Sequence, residues 1–275
     1  MNPVSFEFFP PQTAEGLQKL LAARADLAPC APEYFSVTYG AGGSTRERSQ
    51  GAVMAIKATG AEVAPHISCM GSTRDTVREV LQGYQDAGIR RLVALRGDLP
   101  SGVVESGHFR YAADLVAFIR QEFGDSFSIA VAAYPEVHPQ ARSAREDLAH
   151  FKSKVEAGAD GAITQYFYNP DAYFHFVEDC RAAGIRVPVV PGIMPIVRYF
   201  QLARFSDNCG AEIPRWIRKK LEQFGDDTDS VKAFGTEVVS ELCSTLLARG
   251  APGLHFYTMN QAAPTLSILK GMGKP

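Results

Sequence analysis

The sequence lacks most of the patterns that announce a function. Its five cysteines (Cys30, Cys69, Cys180, Cys209 and Cys243) are scattered and odd in number, and none form a C-x-x-C pair. That excludes a disulfide framework and a thiolate zinc site, and points to a reducing, cytoplasmic setting. Its six histidines include no His-x-His and no H-E-x-x-H pair, so no metal is expected. There is no P-loop and no G-x-G-x-x-G; "GAGGST" at 40–45 comes nearest and lacks the last glycine. Neither sign of charge dominates, with 28 basic against 30 acidic residues and a net charge of −2, which argues against a broad nucleic-acid footprint. A basic-then-apolar leader and an apolar run long enough to span a bilayer are also missing. A soluble cytosolic protein with an intact N-terminus is expected.

What is present is a rhythm. Short runs rich in Val, Ile, Ala and Phe begin at 4, 34, 62, 91, 128, 161, 187 and 253, and stretches of helical spacing alternate with them. Seven strands starting roughly 26–37 residues apart, and an eighth after a longer helical stretch, imply parallel strands with right-handed crossovers. The spacing predicts an α/β chain folded as one (β/α)8 TIM barrel over residues 1–275. Extra helices precede the last strand, because 214–248 reads as two helical pieces broken near "GDDTD". An open doubly wound sheet would want a glycine-rich turn after strand one, where this chain has Pro10-Pro11-Gln12.

A barrel carries its chemistry at the C-terminal ends of its strands. There this sequence places Glu7, Thr38 and Tyr39, His66, Arg96 and Asp98, Tyr134 with Glu136 and His138, and Gln165 with Tyr166. The last strand adds His255, Tyr257, Thr258 and Asn260. Glu7 stands out inside "VSFEFFPP", because a carboxylate in an apolar strand needs a partner, a raised pKa or a role. Pairing with a barrel arginine such as Arg96 is the structural alternative. Asp98 in "RGDLP" also reads as a turn aspartate, and His66 and His138 as loop histidines. Gln165 in "AITQYF" needs partners for both ends of its amide. No strand carries a lysine for a Schiff base. A mouth of carboxylate, amide, hydroxyl and imidazole favours a large organic cofactor and the movement of protons or hydrides.

Taken in order, "VSFEFFPP", "FSVTYGAGGSTRERS", "APHISC", "ALRGDLP", "VAAYPEVHPQARS", "AITQYFY", "PGIMP" and "LHFYTMN" resemble the methylenetetrahydrofolate reductase family from about residue 4 to 260. The resemblance implies a barrel that binds FAD and takes electrons from NADH or NADPH. By ping-pong kinetics it would reduce 5,10-methylenetetrahydrofolate to 5-methyltetrahydrofolate, which feeds one-carbon metabolism and methionine synthesis. It implies Glu7 as the general acid and Asp98 as a catalytic aspartate near pterin and flavin. Gln165, Gln201 and Phe205 are the implied substrate contacts. For FAD it implies Thr38, Tyr39, Ala41, His66, Arg96, Gly97, Asp98, Ala112, Tyr134, His138, Ala141, Asp147 and Lys154. A homo-oligomer, dimer or tetramer, is also implied.

Three departures stand beside the match. His150 and Ser153 occupy positions where relatives carry Asn and Arg, and Asn260-Gln261 stands where they usually read Asn-Arg. The chain ends at 275, so no regulatory domain and no inhibition by S-adenosylmethionine are expected. The rival readings are a flavin barrel with another pterin or imine acceptor, and a non-catalytic barrel that binds folate or a partner protein.

Overall fold

The computed structural model describes residues 2–39, 43–97 and 107–273. Strand and helix alternate through β1 (Val4–Phe8), α1 (Ala14–Leu27), β2 (Tyr34–Val37), α2 (Gly43–Lys57), β3 (Val63–Ser68), α3 (Arg74–Asp86), β4 (Arg91–Leu95), α4 (Ala112–Phe123), β5 (Ser128–Ala133), α5 (Ala144–Glu156), β6 (Gly161–Thr164) and α6 (Pro170–Ala182). The chain continues through β7 (Val189–Val190), β8 (Gly192–Ile193), α7 (Tyr199–Cys209), α8 (Arg215–Phe224), α9 (Thr228–Ala248), β9 (Leu254–Tyr257) and α10 (Ala262–Gly271). All described strand pairs are parallel, in the order β7-β6-β5-β4-β3-β2-β1-β9-β8. The expected (β/α)8 barrel is present, and the extra helices before the last strand are α8 and α9, which break at Gly225–Asp227.

The seventh strand position differs from the single run expected over 187–195. It is two short pieces on either side of Pro191. β7 pairs with β6, and β8 pairs with β9. Proline has no N–H to give a ladder, so Pro188 and Pro191 serve as acceptors only, taking the amides of Ala162 at 2.9 Å and His255 at 3.0 Å. Gly192 makes the seam tight. A Cβ there would sit 2.1 Å from the Thr164 carbonyl oxygen and 2.6 Å from the Tyr257 ring. Across the same seam the Tyr257 hydroxyl donates to the Thr164 carbonyl at 2.6 Å.

Strand alternation sorts the side chains into two layers. Phe6, Phe8, Phe35, Val37 and Phe256 point outwards into the large core shared with the helices. Inside the barrel a small apolar cluster of Tyr34, Ala64, Val93 and Ile163 is joined by Leu95, Ala130 and Tyr257. Beside this cluster, β1, β2, β3 and β9 also bury polar side chains: Ser5, Glu7, Ser36, His66, Ser68 and His255. Helix starts follow the local chemistry. Thr13, Thr73, Ser143, Asn169 and Asp227 each accept a first-turn amide with their side chain.

Candidate active site

Glu7 lies in the barrel interior with 7% of its surface exposed. It does not meet Arg96. Its Oε2 accepts from Ser36 Oγ at 3.4 Å and lies 3.3 Å from His255 Nε2. His66 Nε2 lies 3.1 Å from the same oxygen, an ion-pair contact rather than a well-aligned hydrogen bond. On its other side, His255 Nδ1 lies 2.7 Å from Ser5 Oγ. Three neighbouring strands and one from across β2 therefore converge on one carboxylate. Register explains how: Glu7 stands beside Ser36 in β2 and Tyr257 in β9, and Ser5 beside His255.

This arrangement corrects one expectation. Burial by itself pushes the Glu7 carboxyl up, as the sequence suggests. The charge of His66 and the hydrogen bond from His255, with both ring nitrogens close to Oε2, oppose it, and the carboxyl is held down at about 2 from an ordinary 4.5. Glu7 is thus an anion flanked by proton carriers. Of the groups around the carboxylate, the sequence places both His66 and His255 at the barrel mouth, whereas it does not single out Ser5 and Ser36. The signal for them was alternation: each is a small or polar residue at an inward position of an otherwise apolar strand.

The backbone at Glu7 is clamped from β9. Thr258 donates to the Glu7 carbonyl through Oγ1 at 2.6 Å and through its amide at 3.2 Å. Asn260 grips Phe9 with both ends of its amide. Its Oδ1 accepts the Phe9 N–H at 2.8 Å, and its Nδ2 donates to the Phe9 carbonyl at 2.9 Å. Met259 and Asn260 are consecutive left-handed residues, φ +52° and +58°, a turn these bonds hold in place.

The expected FAD positions fall into two groups. On β4, β5 and α5, Arg96 Nη2 donates to Gln140 Oε1 at 2.5 Å, and the Tyr134 and His138 rings meet edge to face. Asp147 accepts the His138 amide at 2.9 Å, and the Ala141 amide donates to the His138 carbonyl. Lys154 Nζ donates to the Ala132 carbonyl at 2.6 Å, and burial lowers its pKa to about 8 against the opposing pull of Asp147. Gly97 takes φ +79° beneath Ser68, where a Cβ would sit 1.9 Å from the serine oxygen. Ala112 opens α4 one residue after Tyr111, whose carbonyl accepts from the Cys69 thiol. The second group, Thr38 and Tyr39, follows β2, and the Thr38 carbonyl accepts from Ser49 Oγ. His66 is named for FAD by the resemblance but stands against Glu7. Ala41 and Asp98 lie outside the described residues.

Gln165 shares a small pocket with Tyr134, Tyr166 and Cys209. Its Oε1 accepts its neighbour's amide at 3.0 Å, while its Nε2 has no partner among the described residues. Gln201 and Phe205, one turn apart on α7, line a 330 Å³ cavity with Leu202, Met259 and Gln261. Of the departures, Ser153 turns its hydroxyl back onto the Ala149 carbonyl, and His150 stacks with Tyr111 at 6.2 Å between ring centres. All five cysteines are free thiols. Among the described residues no helix is long and apolar enough to cross a membrane.

Comparison with known proteins gives one answer. A family model described as Methylenetetrahydrofolate reductase matches residues 2–273. The chain is 43% identical to the 5,10-methylenetetrahydrofolate reductase of Salmonella typhimurium, over 98% of this chain and 90% of that protein. It is 38% identical to methylenetetrahydrofolate reductase (NADH) 1 of Arabidopsis thaliana, over 98% of this chain and 48% of that one. Among solved structures, an uncharacterized Clostridium thermocellum protein that binds two copies of 5-methyl-5,6,7,8-tetrahydrofolic acid superposes with a TM-score of 0.65. The two share 16% identity over 98% of this chain and 96% of the other, a likeness of fold.

Proposed function

The chain belongs to the methylenetetrahydrofolate reductase family, and from that premise we propose that it reduces 5,10-methylenetetrahydrofolate to 5-methyltetrahydrofolate using FAD and NADH in alternating half-reactions. The carrying observation is the Glu7 carboxylate buried between two imidazoles in the barrel interior. Residues 1–275 act as one catalytic unit in this reading, in the cytoplasm, with the product supplying methionine synthesis. NADH is preferred over NADPH on the strength of the Arabidopsis relative's name. A homo-oligomer remains part of the proposal.

The chemistry needs a proton in one place. The substrate's five-membered ring must open to an iminium before it accepts hydride, and the departing nitrogen must be protonated. Glu7 is the group that hands over this proton, and His66 or His255 replenishes Oε2 from 3.1 or 3.3 Å away. Between transfers the Glu7 anion favours the cationic iminium. Ser5 fixes the His255 ring through Nδ1, which sets the tautomer presented to Glu7. Asp98, which lies outside the described residues, is the second carboxylate of the proposal by resemblance alone. Gln165 offers its unpartnered Nε2 to folate and nicotinamide in turn, and Gln201 and Phe205 hold the folate body.

The residues present fit FAD. The Arg96 guanidinium bonds only neutral oxygens, those of Gln140 and Gly97, and has no carboxylate partner among the described residues. Lys154 is a buried amine that an anion beside it would hold charged. Arg96 and Lys154 would hold the diphosphate, and Thr38, Tyr39, Tyr134 and His138 would supply further contacts to FAD. When bound, FAD supplies the hydride that the folate accepts.

An anaerobic visible spectrum of the FAD-loaded protein tests the reading. NADH should bleach the flavin band, and 5,10-methylenetetrahydrofolate should restore it with formation of 5-methyltetrahydrofolate. A band that bleaches and does not return would mark a flavin reductase with another acceptor.

A further inference from the structure

The C-terminal end of α7 is stitched to the ends of two strands. Glu136, on the loop after β5, accepts the Glu212 N–H through Oε2 at 2.7 Å. Gly210 closes α7 at φ +76° beside Pro139, whose ring a Cβ there would meet at 3.4 Å. Just after β6, the Tyr166 hydroxyl pairs with Ser206 Oγ at 3.0 Å, and Cys209 Sγ donates to it at 3.5 Å. The other end of α7 is held less. Arg198 makes no side-chain capping bond there, and Tyr199 reaches only Glu222 at 3.4 Å.

The loop after β5 is itself under strain. Val137, a β-branched residue, takes the left-handed φ +69°, which costs energy and persists only where surrounding contacts demand it. Tyr134 and His138 meet edge to face across this turn, their ring centres 4.5 Å apart, while Glu136 reaches to α7. Burial pushes the Glu136 carboxyl up, the Glu212 amide opposes that, and the Glu212 charge adds to the rise. The amide bond is the contact that offsets both costs.

From this we infer that Glu136 is a positioning residue for the folate: by holding the far end of α7 it sets Phe205 and Gln201 relative to the loop after β5. The inference rests on the folate reading above and gives a role to a residue that reading leaves without one. Phe205 lies one helical turn before Cys209, so a shift at Gly210–Glu212 reaches it through the helix. Tyr134 and His138, proposed for FAD, share their loop with Glu136. One carboxylate therefore links the loop on the flavin side to the helix on the folate side. Glutamine in its place keeps a carbonyl that can accept the Glu212 amide, and alanine leaves that amide to solvent.

The test titrates 5-methyltetrahydrofolate into the FAD-loaded wild type, Glu136→Ala and Glu136→Gln by calorimetry, with amide hydrogen exchange and both half-reactions measured alongside. Glu136→Ala should bind the folate about five-fold more weakly, the order of one hydrogen bond lost. Its half-saturating concentration of 5,10-methylenetetrahydrofolate should rise by a similar factor. The limiting rate of flavin reoxidation and the reduction by NADH should stay near wild type. The Glu212 amide should exchange faster in Glu136→Ala, and both this exchange and the folate affinity should return towards wild type in Glu136→Gln. Wild-type folate affinity in Glu136→Ala, or an unchanged Glu212 exchange rate, would overturn the positioning role and leave the reductase reading standing. So would equal slowing of both half-reactions, which marks general damage to the site. A wild-type protein that neither binds nor turns over folate would overturn the reductase reading, and this inference with it.

Discussion

Glu7 and His66 belong to strands separated by β2, yet Glu7 Oε2 and His66 Nε2 lie 3.1 Å apart in a site where each residue is 7% exposed. With His255 on the other side, the carboxylate is stabilised as an anion in a place where burial alone would protonate it. That reversal ties the sequence to its chemistry. In the proposed reaction the proton would be held by the cluster and passed through Glu7, and would not be stored on an isolated, raised carboxyl.

The acid behaviour of the protein should show this. The folded pKa of Glu7, about 2, lies below its ordinary 4.5. Its contribution to stability is therefore present above pH 4.5 and is lost as pH falls towards 2. Urea midpoints measured from pH 5 down to 3 should fall more steeply in the wild type than in Glu7→Gln. Parallel curves would show that the two imidazoles do not hold the anion.

Lys154 gives a second pH dependence, of opposite origin. Burial depresses its pKa to about 8, so the free protein loses this charge as pH rises through 8. A bound diphosphate favours the ammonium and raises its pKa, so FAD binding should take up protons just above pH 8 and weaken from pH 7.5 to 9.5. Fluorescence titration of FAD across that range checks it. Lys154→Gln should bind more weakly at pH 7.5 and show a flatter profile; an equally steep profile would assign the dependence elsewhere.

The Asn260 clamp is structural and should register as stability. Asn260→Ala removes two hydrogen bonds to Phe9 and leaves a Cβ residue at φ +58°. At about 1 kcal/mol for each bond and about 1 kcal/mol for the left-handed backbone, the loss should be about 3 kcal/mol in a denaturant titration. Asn260→Gly should recover the backbone part alone. An unchanged midpoint in Asn260→Ala would mean that the β1 and β9 loops are held by other contacts.

The alternation of strand and helix was legible because apolar runs and helical spacing are local properties, and the break before α9 was readable at "GDDTD". The division of the seventh strand was not. "VPVVPGIMP" reads as one strand until Pro191 is asked for an N–H it lacks and Gly192 is set against Thr164. At the site, Glu7 was conspicuous because a carboxylate is anomalous in "VSFEFF". His255 falls at the mouth in the sequence pattern, but its pairing with Glu7 was not legible, and Ser5 and Ser36 acquire meaning only when register lays β9, β1 and β2 side by side. The sign of the Glu7 shift depended on those partners, which is why burial alone pointed the wrong way. His66 shows the same limit: its place beside Glu7 depends on the curvature of the sheet across β2, which strand patterning does not encode.

The most direct measurement is stopped-flow kinetics of the two half-reactions in Glu7→Gln loaded with FAD. With Glu7 as the proton donor, NADH should bleach the flavin at close to the wild-type rate. Reoxidation by 5,10-methylenetetrahydrofolate should slow by about 100-fold or more, the usual worth of a general acid. Equal slowing of both half-reactions, or reoxidation at the wild-type rate, would contradict the account.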